Sequence, residues 1–392
     1  MTDFDPRSGP SRPDPASETP LVITAGDRVM VIAPHPDDEV LAAGGLIQYA
    51  IAMGAGVRIV YLTDGENNGW AQLAVEGRWP FTARDRARWG SRRREEALAG
   101  LECLGLSAGP ARFLGFPDGG LSNLYMSGDS RLTLALIAEL DEWRPTLIVA
   151  SAASDPHPDH SAAAFYLDEA QERRSQPVTP RRLYYANTLK PQREPRSGRT
   201  VLLPAQAQDR KRRAILCHRS QLRWHRDAFL AFVGSRETFA VSKTVGVEDP
   251  AQPVAEAVVD GERLRVRLRE GVGWGGAVLW IALEDQGPEP VRLVVRMPRL
   301  GGRARIWDER RQELVGRATP SRTPGGRVLD LALPALRRPS GGFVKLDRPF
   351  ARRLGFIYGA GWRPIALAEE AAATGDRVLP AEPALRTTTV GR

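Results

Sequence analysis

The stretch Val29-Met-Val-Ile-Ala-Pro-His-Pro-Asp-Asp-Glu39 decides the reading of the fold. Five apolar residues run into a histidine flanked by prolines and then three consecutive acids. An apolar run of that length, bounded by turn formers, reads as a buried strand. The residues from Glu39 to Met53 have helical spacing. His35, Asp37 and Asp38 therefore stand on the loop between the carboxyl end of a strand and a helix, which is where open α/β sheets bind ligands. Taken alone, the acids would serve equally well as a helix cap that favours the helix dipole.

The same alternation continues from Ala25 to about Thr244. Strands are predicted at Asp27–Ala33, Val57–Thr63, Ala111–Leu114, Thr146–Ser151 and Arg182–Ala186. Between and after them fall helices at Glu39–Met53, Arg92–Leu104, Arg131–Trp143, His160 to about Glu172, Ala207–Leu222 and Trp224–Val233. A loop rich in Trp and Arg is expected from Gly69 to about Trp89. Strands alternating with long helices imply βαβ units, hence a Rossmann-like, mostly parallel sheet with helices on both faces. Right-handed crossovers then bring the strand tips to one edge. The tip at His35 and a second tip, Ser154-Asp-Pro-His-Pro-Asp-His160, should meet there.

Beyond Thr244 the pattern changes. A Pro-containing linker, Val245–Ala257, leads into Arg263-Leu-Arg-Val-Arg-Leu-Arg269, which alternates strictly and reads as a half-buried strand with a solvated face. Short strand candidates follow at Ala277–Leu283, Val291–Met297, Ala304–Trp307, Arg327–Leu333 and Phe343–Leu346. Strands at that spacing without helices suggest a β-sandwich or small barrel. The expected organisation is a disordered leader (1–24), a Rossmann-like α/β domain (25–245), a β-rich accessory domain (246–368) and a tail (369–392). Tryptophans at 70, 79 and 89, and at 274, 280, 307 and 362, are read first as packing residues and only second as sugar-stacking surfaces.

Composition narrows the class. The hydrophobic share of 42% and charged share of 26% are those of a globular protein. No apolar run reaches the about 18 residues of a membrane span, and the first twenty residues lack the basic start and apolar core of a signal peptide, so a cytoplasmic protein is expected. The net charge of +8 is not read as a nucleic-acid footprint, because only four of the 55 basic residues are lysines and the arginines are spread along the chain. Cys103 and Cys217 read as small buried hydrophobes.

Three of the five histidines fall in the two tips. A catalytic zinc site takes three protein ligands from His, Asp or Glu and keeps a fourth position for water. His35, Asp38 and His160 can supply that set, with Asp37 placed as general base. His157 can donate to the oxyanion of a tetrahedral intermediate. Asp159 can orient an imidazole from behind. Two loops converging on one point is what a site requires and what helix capping does not.

Pro34-His-Pro-Asp-Asp-Glu39 with Gly44-Gly45, Leu62-Thr-Asp-Gly-Glu66 and the later His-Pro-Asp-His resemble the PIG-L/LmbE-like deacetylase family. Arg93-Arg-Glu-Glu-Ala97, Leu114-Gly-Phe-Pro-Asp-Gly-Gly-Leu121 and Ala214-Ile-Leu-Cys-His-Arg-Ser-Gln221 are similar to further stretches of it. The resemblance runs from about Ala25 to Val241. It implies a zinc-dependent hydrolase of N-acetyl groups on glucosamine-containing glycans or conjugates. The same three metal ligands are implied, with Asp37 as base, His157 on the oxyanion, and Arg93 and Asp118 on the sugar. Some relatives carry a Tyr two residues before the first His of the second motif, where this chain has Asp155.

The expectation is therefore an enzyme with one zinc per chain, Fe(II) being the alternative metal, acting on an acetylated amino sugar. It needs no nucleic acid and no transmembrane segment; a homo-oligomer stays open. An amidase acting on another sugar or antibiotic conjugate is the nearest alternative. A non-catalytic metal- or glycan-binding protein is the more distant one.

Overall fold

In the computed structural model the described residues are 18–174, 179–187, 198–244, 252–270, 272, 276–284, 290–298, 302–323, 326–333, 341–347 and 360–368. The first strands are β1 (Glu18–Pro20), β2 (Arg28–Ala33), β3 (Gly56–Thr63), β4 (Ala111–Phe116), β5 (Leu147–Ser151), β6 (Arg181–Tyr185), β7 (Gly198–Leu202) and β8 (Arg236–Ala240). The helices are α1 (Asp38–Ala52), α2 (Gly69–Glu76), α3 (Ala83–Leu104), α4 (Leu121–Met126), α5 (Arg131–Trp143), α6 (Pro158–Glu172), α7 (Ala205–Cys217) and α8 (Arg219–Leu230). The strands form one sheet in the order β1-β7-β8-β6-β5-β2-β3-β4. Its pairings are parallel except those of β8 with β6 and β7. This is the mostly parallel, Rossmann-like sheet that the alternating pattern predicts.

The apolar runs read as strands because both of their faces are covered. On β2, Val29, Val31 and Ala33 enter a core shared with α1, α3, α7 and α8. Met30 and Ile32 enter the opposite core, beneath α4, α5 and α6. β3 and β5 divide their side chains in the same way, following the two-residue period of a strand. Helix α1 lies close on its sheet because Gly45 has no side chain: a Cβ there would come within 2.6 Å of Leu203. The buried Lys211 holds that helix from the other side, its Nζ 2.8 Å from Leu41 O and 2.7 Å from Glu237.

Three expectations are corrected. The stretch Gly69–Trp89 is not a loop but α2 and the start of α3. Asn68 caps α2 by accepting from Ala71 N–H, and Thr82 with Asp85 forms a capping box that starts α3 well before Arg92. The arginines there are good helix formers rather than loop markers. The leader does not extend to residue 24: β1 pairs with β7, and Leu21 and Ile23 are buried. Strands β7 and β8 and the short α4 were not predicted. Cys103 and Cys217 are both free, yet their sulfurs lie 3.7 Å apart. The predicted tail at 369–392 and the predicted domain boundary at 245/246 lie outside the described residues.

The remaining strands are β9 (Val254–Asp260), β10 (Arg263–Leu268), β11 (Val278–Glu284), β12 (Val291–Arg296), β13 (Ala304–Asp308), β14 (Glu313–Ala318), β15 (Ser321–Thr323), β16 (Gly326–Ala332), β17 (Gly341–Asp347), β18 (Arg363–Pro364) and β19 (Ala366–Leu367). They form a five-stranded sheet, β15-β16-β10-β9-β19, and a six-stranded one, β14-β13-β12-β11-β17-β18. Both contribute to one core, as in a sandwich. On β10, Leu264, Val266 and Leu268 are buried, and the arginines between them face outward to Asp330 and Glu256. Trp280 and Trp362 are packing residues: with Val294 and Phe343 they join the core formed by α4 and α6, so the two parts of the chain share that core.

Candidate metal centre

Strands β2 and β5 are parallel neighbours. From β2 the sheet grows through β3 and β4 to one side, and from β5 through β6 to the other. Loops leaving the carboxyl ends of two strands at such a reversal part around a crevice, the usual ligand position in this class of sheet. The loops here are those of Pro34–Asp37 and Ala152–His157.

Three buried atoms meet between them. His35 Nδ1 lies 3.2 Å from His160 Nε2 and 3.3 Å from Asp38 Oδ2, and His160 Nε2 lies 3.2 Å from Asp38 Oδ2. Ligand bonds of about 2.0–2.2 Å at tetrahedral angles place ligand atoms about 3.3–3.6 Å apart. The triangle therefore matches one face of a zinc tetrahedron, and its donor set of two imidazoles and a carboxylate suits that ion. Two looser groups also share His35, one with His157 and His160 and one with Asp118 and Asp159, their ligand atoms lying within 4.8 Å of one another.

The far side of each imidazole meets a carboxylate, the usual second contact of a metal-binding histidine. His160 Nδ1 is 3.2 Å from Asp155 Oδ2. His35 Nε2 is 3.1 Å from Asp118 Oδ1 and 3.6 Å from Asp159 Oδ2. Asp38 is itself fixed: one oxygen accepts from His35 N–H at 2.9 Å and the other from Asn187 Nδ2 at 2.8 Å.

Asp37 stands beside the triangle. Its Oδ2 accepts from Arg93 Nη2 at 2.7 Å, and Arg93 also donates to Gly65 O at 2.9 Å and Pro36 O at 3.1 Å. The Asp37 side chain makes no capping bond to α1, so the cap reading of this carboxylate fails. Burial pushes the Asp37 carboxyl up to about 6, against the pull of Arg93. Burial would also raise Asp38, but the His160 and His35 imidazoles hold its carboxyl well below the usual range. Burial would lower His160, yet Asp38 and Asp155 bring it up to about 10. His35 is raised likewise, chiefly by Asp118 against its burial. The carboxylates thus demand positive charge where the two imidazoles converge, which a divalent cation would satisfy. His157 behaves oppositely: burial and the neighbouring imidazoles hold it neutral. Its Nδ1 accepts from Asp159 N–H at 3.2 Å, which leaves the proton on Nε2 as a donor.

Of the residues expected on the sugar, Arg93 and Asp118 are both buried in the wall of the site. Arg93 anchors Asp37. Asp118 backs His35 and accepts from Asn67 N–H at 2.9 Å. Asp159 chiefly clamps the loop before α4, accepting from Gly119 N–H at 2.6 Å and Leu121 N–H at 3.1 Å. Glu96 binds Ser220 N–H and Oγ, joining two of the motifs that carry the resemblance. His218 is fully buried near Glu39, as a packing residue. Sequence reasoning missed three contributors. Asp155 was noted only as a departure from relatives, although an acid two residues before His157 was a usable signal. Glu66, which accepts from Asp118 N–H at 2.9 Å, lay in a quoted motif but was given no role, and Asn187 carried no signal.

A sequence model of the family described as "PIG-L: GlcNAc-PI de-N-acetylase" matches residues 30–171. A 1D-myo-inositol 2-acetamido-2-deoxy-alpha-D-glucopyranoside deacetylase of Rhodococcus jostii (strain RHA1) is 35% identical over 156 residues, which is 34% of this chain and 49% of that protein. The protein of the same name from Mycobacterium sp. (strain KMS) is 33% identical over 165 residues, 36% of this chain and 49% of its own length. The chain thus spans about half the length of these curated relatives. Among solved structures, an N,N'-diacetylchitobiose deacetylase from Pyrococcus horikoshii is similar with a TM-score of 0.43 at 21% identity, over 55% of this chain and 83% of that one. Both metal-centre tips fall inside the matched segment, and residues 30–171 of this chain are a PIG-L family domain.

Proposed function

We propose that the protein is a metal-dependent N-deacetylase that releases acetate from an N-acetylglucosamine-type glycan or glycoconjugate. The observation that carries this reading is the triangle of His35 Nδ1, Asp38 Oδ2 and His160 Nε2, with a separate, anchored carboxylate at Asp37. The curated relatives, deacetylases of an acetamido sugar by name, support the substrate class.

A zinc ion held by those three residues would polarise the amide carbonyl and bring the pKa of a water toward about 7. The chain supplies the remaining chemistry. Arg93 occupies Oδ2 of Asp37, which leaves Oδ1 to take a proton from the attacking water. With its carboxyl near 6, Asp37 is ionised at neutral pH and still basic enough to accept that proton. The same carboxyl then returns it to the nitrogen of the leaving amine, so that water and amide become acetic acid and amine, which part at neutral pH as acetate and ammonium. His157, neutral and protonated on Nε2, donates to the oxyanion that forms at the amide oxygen. Asp155 and Asp118 keep the two imidazoles turned inward.

The test is acetate release from a panel of N-acetylglucosamine glycosides and conjugates by the zinc-loaded protein, beside Asp37→Asn. Release that Asp37→Asn abolishes is expected. A zinc-loaded wild type that frees no acetate from any member of the panel would overturn the reading.

A further inference from the structure

The loop that ends at His157, with the first turn of α6 that carries His160, does not stand on the α/β part alone. The segment at 360–362 reaches back from the β-rich part and lies against it. Trp362 is 1% exposed. Its backbone N–H donates to Ser161 Oγ at 3.4 Å, and its indole Nε1–H to Ser122 Oγ at 3.0 Å. Each serine hydroxyl has one proton, and each gives it to the loop: Ser161 to Asp155 O at 2.8 Å, Ser122 to Pro158 O at 2.8 Å. Trp362 thereby fixes the direction of both hydroxyls, and these hold the carbonyls on either side of His157.

Gly361 lies against the same loop. A Cβ there would overlap the Asp155 carbonyl oxygen and stand 2.7 Å from the carbonyl group of Pro156. Gln252 Nε2 donates to Gly361 O at 3.0 Å, tying the segment to the start of β9. The Trp362 ring meets the edge of Phe165 at 5.3 Å, which seats it on α6. The Asp155 whose carbonyl is gripped in this way is the residue whose carboxylate faces His160 Nδ1.

We propose that Gly361 and Trp362 are positioning residues, and that the β-rich part is a fixed brace for the Asp155–His160 loop. It is then part of the metal centre's support and not a separate module. The consequence for His160 rests on the metal-centre reading above; the bracing itself does not.

Two readouts on the full chain test this: hydrogen exchange of the amides in 155–161, and zinc affinity by competition with a chelator. Trp362→Phe keeps a ring in place and removes the indole N–H. Gly361→Ala presses on the loop. Each is expected to raise exchange in 155–161 by about tenfold while α1 and β2 keep wild-type exchange, and to weaken zinc by about tenfold. Phe343→Leu serves as the control. Phe343 packs on Phe165 in the same interface, with ring centroids 4.6 Å apart, but its side chain has no hydrogen-bonding group with which to hold a loop carbonyl. It should leave both readouts unchanged, which separates bracing from a general loosening of the interface. If Gly361→Ala does not fold, Trp362→Phe and Ser122→Ala carry the test. Wild-type exchange in the loop, or wild-type zinc affinity, in Trp362→Phe overturns the proposal. A wild type that binds no zinc breaks the metal-centre reading instead, and the brace then stands or falls on the exchange alone.

Discussion

The loop after β2 and the loop after β5 present the same kinds of residue to one point, but they are held from different places. The first is held within the α/β part: Thr63 Oγ1 donates to Pro34 O at 2.8 Å, and Arg93 on α3 grips Pro36 O and Asp37. The second is held from two sides. Asn187 N–H, after β6, donates to Asp155 Oδ2 at 2.9 Å, and Gly361 and Trp362 meet the loop from the β-rich part. The triangle, with His35 on the first loop, Asp38 at the start of α1 and His160 in the first turn of α6, thus draws on both parts of the chain for its geometry. A family domain that ends at residue 171 contains every corner of the triangle and not all of its supports.

The largest effect should come from the corners themselves. His160→Ala and His35→Ala each remove one of the three proposed ligands, so zinc affinity should fall by more than the about 10–100-fold that a supporting residue costs. Dialysis followed by metal analysis reads this directly. Full zinc retention in either variant would break the triangle.

Next comes the anchor of the first loop. Arg93→Met removes the cation beside a buried carboxylate, so the Asp37 carboxyl should rise further. As the proposed base, Asp37 works in its ionised form, so activity should rise with pH through its value, expected near 6 in the wild type. In the variant that acid limb should move up by about one unit or more. A pH profile of kcat/KM checks the sign, and a limb that stays in place would take Asp37 out of the role of base.

The smallest effect is expected behind the second loop. Asp155→Asn keeps the size of the side chain and removes its charge, so the His160 imidazole loses its anionic partner. Zinc should bind about tenfold more weakly, with the fold intact by circular dichroism. A larger loss than that from His160→Ala would mean that Asp155 and not His160 holds the metal.

Much of this was legible in the chain. The run Val29–Ala33 could be read as a two-faced strand because a parallel sheet buries both sides and leaves a continuous apolar stretch. The histidines at 35, 157 and 160 stood out because they are three of only five in the chain and fall in two short motifs at strand tips. The start of α3 was hidden because Thr82 and Asp85 lie amid tryptophans and arginines that read as loop. Strands β7 and β8 were hidden because their short runs, such as Arg236–Ala240, lack a clean apolar core.

By itself, then, the sequence determined the parallel sheet, the two tips and the residue types they carry, since these follow from local periodicity and turn chemistry. Only the tertiary structure decided what each residue faces. Arg93 turned inward to Asp37, and Asp155 turned to His160, because a buried charged group must be both paired and hydrogen-bonded, and the partners come from distant parts of the chain. The same holds for Trp362. Its apolar ring would pack somewhere in any fold, but which hydroxyls its N–H groups meet depends on contacts between residues some two hundred positions apart, and no local pattern records those.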